Sequence, residues 1–556
     1  MKPLFYVFVF SLFFSCKAQT NLTSQTVTQT DVELNTRPKL VVGIVVDQMR
    51  YDYLTRFYNK FGEGGFKKLI NQGFNCKNNH YNYVPTYTGP GHASVYTGTT
   101  PKYHGIIANN WYDKEIKESV YCAGDDTVNP IGTEDAAGQM SPKRMMTTSF
   151  ADENRLFTQM RGKTIGVSMK DRGAVLPAGH TANAAYWFHG MDEGNWITSS
   201  FYMNELPKWV NDFNASGAAD SYLKTWNTLY DIDTYTESGS DLNNFEGGFK
   251  GKETATFPYD LKALSKDNKG YDILKATAYG NALTTDFAIA AIDGEQLGQD
   301  EITDVLALSY SSTDYVGHNF GVNSKEIQDT YLRLDKDIER LINTLDEKVG
   351  KGEYTLFLTS DHGAVDVPSY LQSVNIPAGY INSRDLRKNI SEFAAKKFGA
   401  SDLIENGSNN QIFLNRERIA LLGLDLEAVQ KALVDELITY KNIDKVYTAT
   451  TMQNTGFSTG IEELLQNGYN QKRSGDIVIV YEPAVISYSR TGSTHGSGLN
   501  YDTHVPLLFY GKGIKQGSTL KKTRITDIAP TMSALLGTSF PNGATGVPLE
   551  FVIEEE

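Results

Sequence analysis

The sequence predicts an α/β fold built on a mostly parallel sheet. Apolar runs of strand length recur along the chain, helical patterns separate them, and polar residues able to do chemistry cluster just after several of the runs. Strands joined by helices, with right-handed crossovers the default, make a parallel sheet. In such sheets ligands bind beyond the carboxyl ends of the strands, so the chemistry is expected along one sheet edge.

The elements follow in order. Leu40–Val46 (LVVGIVV) is apolar on both faces, as a central parallel strand is, and ends at Asp47. Residues 66–70 predict a short helix closed by Gly73. Residues 81–84 read as a strand leading to Thr88-Gly89-Pro90-Gly91-His92-Ala93-Ser94. Pro90 suits a first helical turn, which puts Thr88 at or just before the N-cap, with its hydroxyl at the positive end of the helix dipole. Gly89 and Gly91 let the backbone approach a ligand, and a phosphate fits there. A loop follows at 105–111, with Asn109 and Asn110, then a helix at 149–160 and a strand at 163–167 leading to Lys170-Asp171-Arg172. Residues from about 178 to 280 lack periodicity but are rich in aromatics, which reads as an inserted cap. A helix returns at 280–292. A buried strand, Asp304–Tyr310, then leads to Asp314 and His318. Residues 324–349 predict a long amphipathic helix, and 354–358 a strand ending at Asp361-His362. A second insert runs from about 368 to 488. Thr494-His495-Gly496, a strand at 505–510 and a helix from Asp527 close the core.

At 556 residues the chain exceeds one simple core, so a large domain with insertions or two domains is expected. The net charge of −14 argues against nucleic acid as a partner, and an anionic substrate must be drawn locally by metal or a few cations. Lys2, the apolar residues 4–14 and the small-residue site at Cys16-Lys17-Ala18 read as an export signal, too short to span a membrane. Residues 12–16 also resemble a loose lipobox, so lipid attachment at Cys16 is the alternative to a soluble periplasmic protein. The expected organisation is a signal at 1–18, a flexible leader at 19–38, a single catalytic domain at 39–540 carrying both inserts, and a tail at 541–556. Cys76 and Cys122 remain in the exported chain, either as a pair or as two separate thiols.

Asp314 and His318 stand four residues apart, and on a helical turn both could grip one metal. Asp361-His362, Asp47 and His495 complete three carboxylates and three imidazoles, a mixed set that suits zinc better than manganese or iron. Taken singly, each also fits a helix cap, a turn or a satisfied histidine.

The motifs Ile44-Val45-Val46-Asp47, T-G-P-G-H-A-S from Thr88, S-x-x-D-x-x-G-H ending at His318, T-S-D-H-G through Asp361 and the late Thr494-His495-Gly496 resemble the alkaline phosphatase superfamily, and most closely its PafA-type phosphatases. The resemblance spans about residues 41–537. It implies an alkaline-phosphatase-like three-layer α/β/α sandwich, a periplasmic phosphate monoesterase of broad specificity, two zinc ions and a threonine nucleophile. Carried over, Asp314, His318 and His495 hold one zinc. Asp47, Asp361 and His362 hold the other, which also binds the Thr88 oxygen. Asn109, Lys170 and Arg172 match the residues that hold phosphoryl oxygens, with Asn110 the competitor to Asn109. Inorganic phosphate is the product and a candidate inhibitor.

Elementary chemistry agrees with that implication. A threonine hydroxyl needs activation, and a bound zinc lowers its pKa. Three aspartates and an alkoxide cancel two zincs, so Lys170 and Arg172 leave about two positive charges, which suit a dianionic monoester better than a diester. Asp171 between them is expected to point away. His92 is read as structural, because three protein ligands already fill each catalytic zinc. The alternatives are a nucleotide pyrophosphatase/phosphodiesterase of the same superfamily and, from another class, a non-catalytic zinc or phosphate binder. A sulfatase lacks its motif around Thr88, and a phosphoglycerate mutase would be cytosolic.

Overall fold

The computed structural model describes residues 37–554. The expected signal with Cys16 and nearly all of the leader lie outside the described residues. Five strands carry the core: β1 (Leu40–Val46), β2 (Thr164–Ser168), β3 (Asp304–Tyr310), β4 (Tyr354–Thr359) and β5 (Leu507–Gly511). They belong to a ten-stranded sheet in which β1 lies between β3 and β4, parallel to both, and β2 continues in parallel beyond β3. On the other side β5 runs antiparallel to β4 and pairs in turn with Phe74–Cys76.

Every residue of β1 is buried, as its unbroken apolar run requires. Alternate side chains go to opposite layers. Val42, Ile44 and Val46 join a core with helices α3 (Ala278–Gly294) and α5 (Lys325–Leu345), while Val41 and Val45 join one with α1 (Thr88–Thr97) and α6 (Ile528–Leu536). This period-two division of one strand between two helical layers makes the α/β/α sandwich. Each such valine or isoleucine contributes about 1.5–3 kcal/mol by leaving water.

Two expectations change, and the alternative left open for the cysteines is decided. Residues 81–84 are not a strand. Tyr81 and Tyr83 turn inward, and the N–H groups of Tyr81 and Val84 bond the carbonyls of Thr503 and Leu464 instead of a ladder. The stretch read as a cap from 178 begins with two strands of the central sheet, Ala184–His189 and Asn195–Ser199. Their tryptophans and phenylalanine are buried against the core, so aromatic richness there marked sheet and not cap. The cysteines are both free and buried, in different clusters, and burial pushes each thiol up to about 12. The 368–488 insert holds a four-stranded antiparallel sheet with its own core, formed with Ser383–Phe398 and Leu426–Leu437.

Candidate active site

The strand ends deliver the site. Asp47 follows β1. Lys170 caps helix α2 (Asp171–Ala178) after β2, Asp314 sits in the first turn of α4 (Ser312–Phe320) after β3, and Asp361 and His362 follow β4. His495 arrives on the loop before β5. These residues form two donor trios, Asp47 with Asp361 and His362, and Asp314 with His318 and His495. Within each trio the donor atoms lie within 4.8 Å of one another. The four-residue spacing on α4 puts His318 Nε2 3.2 Å from Asp314 Oδ1, and His495 Nε2 is 3.7 Å from the same oxygen. His362 Nε2 is 3.5 Å from both Asp47 Oδ1 and Asp361 Oδ2. The trios meet where the His362 and His495 rings stack, 3.4 Å between centroids.

The histidines share one hydrogen-bonding logic. Nδ1 of His318, His362 and His495 lies 2.7, 2.9 and 2.7 Å from the carbonyls of Ser493, Gly363 and Thr86. A carbonyl only accepts, so each Nδ1 carries a proton and each Nε2 faces carboxylate oxygens, and burial favours the neutral ring, with a bare Nε2 lone pair, at His362 and His495. Lone pairs facing lone pairs are repulsive unless a cation lies among them. In the Asp47 trio, Asp47 Oδ1, Asp361 Oδ2 and His362 Nε2 are all buried with no hydrogen-bond partner. Burial, helped by the neighbouring His362, holds the His495 imidazole well below its usual pKa, and burial lowers His362 too. Neutral imidazole beside carboxylate, with Nδ1 fixed by a backbone carbonyl, is the state a metal ligand needs, so the residues fit a metal at each trio.

Charge points the same way. Lys170 Nζ lies 2.6 Å from Asp47 Oδ2 and 2.6 Å from Asp314 Oδ2, joining the trios. Burial works against its charge, but the two aspartates outweigh that and keep it protonated. One lysine does not balance three carboxylates. Asp47, buried and facing Asp314 and Asp361, is pushed well above the usual carboxylate range. Burial opposes the Asp314 charge as well, yet His318 and Lys170 hold it below the usual range.

Thr88 opens α1, one residue inside the cap, and is 1% exposed. Its neighbours tie it to both trios. The Tyr87 ring meets His495 edge-on, with centroids 5.7 Å apart. His92 Nδ1 donates to the Thr88 carbonyl at 2.9 Å and stands 3.3 Å from Asp361 Oδ2, while its Nε2 reaches Ser309 at 2.8 Å. His92 belongs to neither donor trio, in keeping with a structural reading. A β-carbon on Gly91 would press on the Asp361 backbone, so only glycine lets α1 approach this closely. Gly89 N–H donates to Asn109 Oδ1 at 2.7 Å, whereas Asn110 is exposed in a hairpin strand. That brings Asn109 to the threonine and leaves Asn110 outside.

Arg172 donates through Nη1 to the Tyr121 hydroxyl at 3.1 Å, and its Nε is buried without a partner. The Tyr121 hydroxyl in turn donates to Asp171, so Asp171 supports the arginine's partner and does not simply point away. Sequence reasoning missed Tyr121, which lies in a hairpin far from the motifs. It also missed Gln48, whose N–H reaches Asp361 Oδ1 at 3.1 Å and whose Nε2 reaches Asp314 Oδ1 at 2.7 Å. The signal for Gln48 was adjacency to Asp47. Its positive φ of 63° is what turns the side chain into the site.

A buried threonine at a helix N-terminus, whose neighbours Tyr87 and His92 reach the two nitrogen-and-oxygen donor trios at the carboxyl edge of an α/β sheet, fits a metallohydrolase of the alkaline phosphatase type. Residues 41–505 match the family of type I phosphodiesterases / nucleotide pyrophosphatases. The chain is 46% identical over 521 residues to alkaline phosphatase PafA of Elizabethkingia meningoseptica, covering 93% of this chain and 95% of that one. It is also 46% identical over 527 residues to a Myroides odoratus protein named a calcium-transporting ATPase, covering 93% and 95%. The crystal structure of PafA superposes with a TM-score of 0.90 at 46% identity, over 93% of this chain and 99% of that one. A second structure, TM-score 0.89 at 45% identity over 93% and 99% of the two chains, is of a PafA variant replaced at a threonine, an asparagine, a lysine and, two positions on, an arginine. The chain belongs to this family, within the alkaline phosphatase superfamily and among its PafA-type members. Among the described residues no helix is long and apolar enough to cross a membrane.

Proposed function

We propose that this chain is a periplasmic, two-zinc phosphatase that hydrolyses a broad range of phosphate monoesters through a phosphothreonine at Thr88. The observation that carries the reading is the set of three histidines whose Nδ1 atoms are held by backbone carbonyls, so that each Nε2 is directed to the carboxylates of a donor trio. Asp47, Asp361 and His362 would hold one ion, and Asp314, His318 and His495 the other. Bound there, the ions supply positive charge that lowers the pKa of a nearby hydroxyl and neutralises a leaving oxygen.

The chain's own residues do the rest. The α1 N-terminus presents the Thr88 oxygen and favours the anionic phosphoryl group. Thr88 Oγ1 forms a bond to phosphorus as the ester P–O bond breaks and the alcohol leaves. Water then attacks the phosphothreonine, the Thr88 O–P bond breaks, and phosphate departs. Lys170 has three N–H donors and gives two to Asp47 and Asp314, so the third is available to a phosphoryl oxygen. Arg172, braced by Tyr121, offers its remaining donors as a fork. Asn109 accepts from Gly89 through its oxygen, which leaves its amide N–H groups for the substrate. The residue types replaced in the PafA variant are the four assembled here, with the same two-residue step from lysine to arginine. Lys170 and Arg172 also separate this reading from a diesterase, because their charge is matched to a second phosphoryl charge.

The test is kcat/KM on p-nitrophenyl phosphate beside bis-p-nitrophenyl phosphate, with zinc content measured on the same sample. A large monoester preference with about two zincs per chain supports the reading. A diester preference overturns it in favour of a phosphodiesterase. Two zincs without turnover of either ester favour a binder.

A further inference from the structure

We propose that a cavity beside the Asp314 trio receives the alcohol half of the substrate, and that it is built for an apolar, ring-bearing alcohol without negative charge. The inference rests on the monoesterase reading above and adds to it a site for the part of the ester that leaves. The cavity has a volume of about 490 Å³ and is bordered by Tyr87 and His495 from the core and by Ile461, Leu464, Val480 and Tyr481 from the 368–488 insert. Pockets of roughly 300–1,000 Å³ enclose small organic molecules. Tyr87 directly precedes Thr88, and His495 is a donor of the Asp314 trio, so the cavity shares residues with the place where the ester bond breaks.

The insert wall is fastened to the site. Ile461 and Leu464 lie on the helix Gly460–Gly468, and Val480 and Tyr481 on the strand Ile477–Tyr481. The Val84 N–H donates to the Leu464 carbonyl at 3.0 Å, which ties that helix to the stretch leading into Thr88. The loop that carries His495 closes on the same helix. A β-carbon on Gly498 would fall 2.4 Å from Ile461 Cδ1 and 3.1 Å from Leu464 Cδ1, so glycine is what lets the two meet. Ile461, Leu464, Val480 and Tyr481 are each half-buried, and a ring seated among them takes the remaining apolar surface out of water. Of the charged groups on the border, Asp444, Glu463, Glu482 and Asp502 are acidic and Lys522 is basic, which sets an anionic alcohol against like charge. The trios take the phosphoryl group, whereas this wall takes carbon.

The test is inhibition of p-nitrophenyl phosphate turnover by benzylphosphonate and 2-naphthylmethylphosphonate, which differ by one ring and whose C–P bonds are not hydrolysed. The zinc-loaded protein should bind the naphthyl compound about 10-fold more tightly. In Ile461→Ala and Leu464→Ala that ratio should fall below about 2-fold, with Ki for inorganic phosphate unchanged. Equal Ki values in the wild type overturn the proposal, as does a preference that survives both truncations. Should a truncation fail to fold, Val480→Trp, which fills the cavity from its strand side, must remove the preference instead. A 4-carboxylate on benzylphosphonate should weaken inhibition, and a Ki no weaker than the parent's overturns the charge assignment. Turnover of p-nitrophenyl phosphate reports on the phosphatase reading. The inhibitor ratio, read from heats of binding if turnover is absent, reports on the cavity, so the two fail separately.

Discussion

The two donor trios are built differently. Asp47, Asp361 and His362 are fully buried at the ends of adjacent core strands, while the His318 side chain of the other trio is 25% exposed and His495 comes from a loop. The first is fixed by the sheet that forms around it. The second is completed by a segment whose turn is held by Asp502, which accepts from the N–H groups of Gly496 and Ser497. The contrast assigns permanence to one trio and access to the other. An ion in the closed trio should exchange slowly, and one in the open trio should be where solvent and leaving group enter.

The largest effect should come from the proposed nucleophile. Thr88→Ala should lower monoesterase kcat/KM by at least ~10³-fold while the zinc content by elemental analysis stays near wild type. Wild-type turnover in that variant would remove the nucleophile assignment. Next come Lys170→Ala and Arg172→Ala, each expected to cost about 10²-fold on p-nitrophenyl phosphate and clearly less on the diester. Equal losses on both esters would break the charge-matching argument.

The comparison itself is sharpened by Asp361→Asn against His318→Asn. Both should lose zinc, but the closed-trio variant leaves a buried carboxylate and imidazole without their counterpart and should be less stable by roughly 3 kcal/mol, read as a lower Tm. A lower Tm for His318→Asn would reverse the assignment of permanence. Tyr121→Phe should act more gently through Arg172, by about 5-fold on monoesters.

A pH-dependent effect concerns the loop of the open trio. Burial pushes Asp502 up to about 7 from an ordinary 3.8. The folded state thus holds this proton more tightly than the unfolded chain does. Its contribution to stability is full below about pH 4 and falls away as pH rises through about 7. Asp502→Asn should then match wild type in thermal melts near pH 4 and gain on it progressively up to pH 8.

Much of this architecture was legible in the sequence, because strands buried on both faces read as unbroken apolar runs and several are followed directly by a candidate site residue. Asp47, Asp314 with His318, and Asp361 with His362 stood out for that reason. The same rule misled at 184–199, where aromatic strands inside a polar, aperiodic stretch looked like a cap. Gln48 was marked only by its place beside Asp47, and Tyr121 was invisible, because nothing in their spacing carries chemistry. They matter only through partners that folding brings to them, Asp314 and Asp361 for one, Arg172 and Asp171 for the other. The choice between Asn109 and Asn110 needed the hairpin register, which pairs Asn110 with Tyr121 and leaves Asn109 free to turn toward Gly89.

The place of β5 has a consequence for how the molecule is made. Phe74–Cys76 emerges early in synthesis, yet the strand that joins it to β4 is β5, near the other end of the chain. Until Leu507–Gly511 is translated, one wing of the sheet has nothing to attach to, and the loop bearing His495 has no anchor on its C-terminal side. Pairing across so large a sequence separation is a late and slow event. A chain that stops short of β5 would therefore hold Asp47, Asp361 and His362 at the ends of β1 and β4 but leave the loop that carries His495 unanchored, so the two trios would be completed at different times.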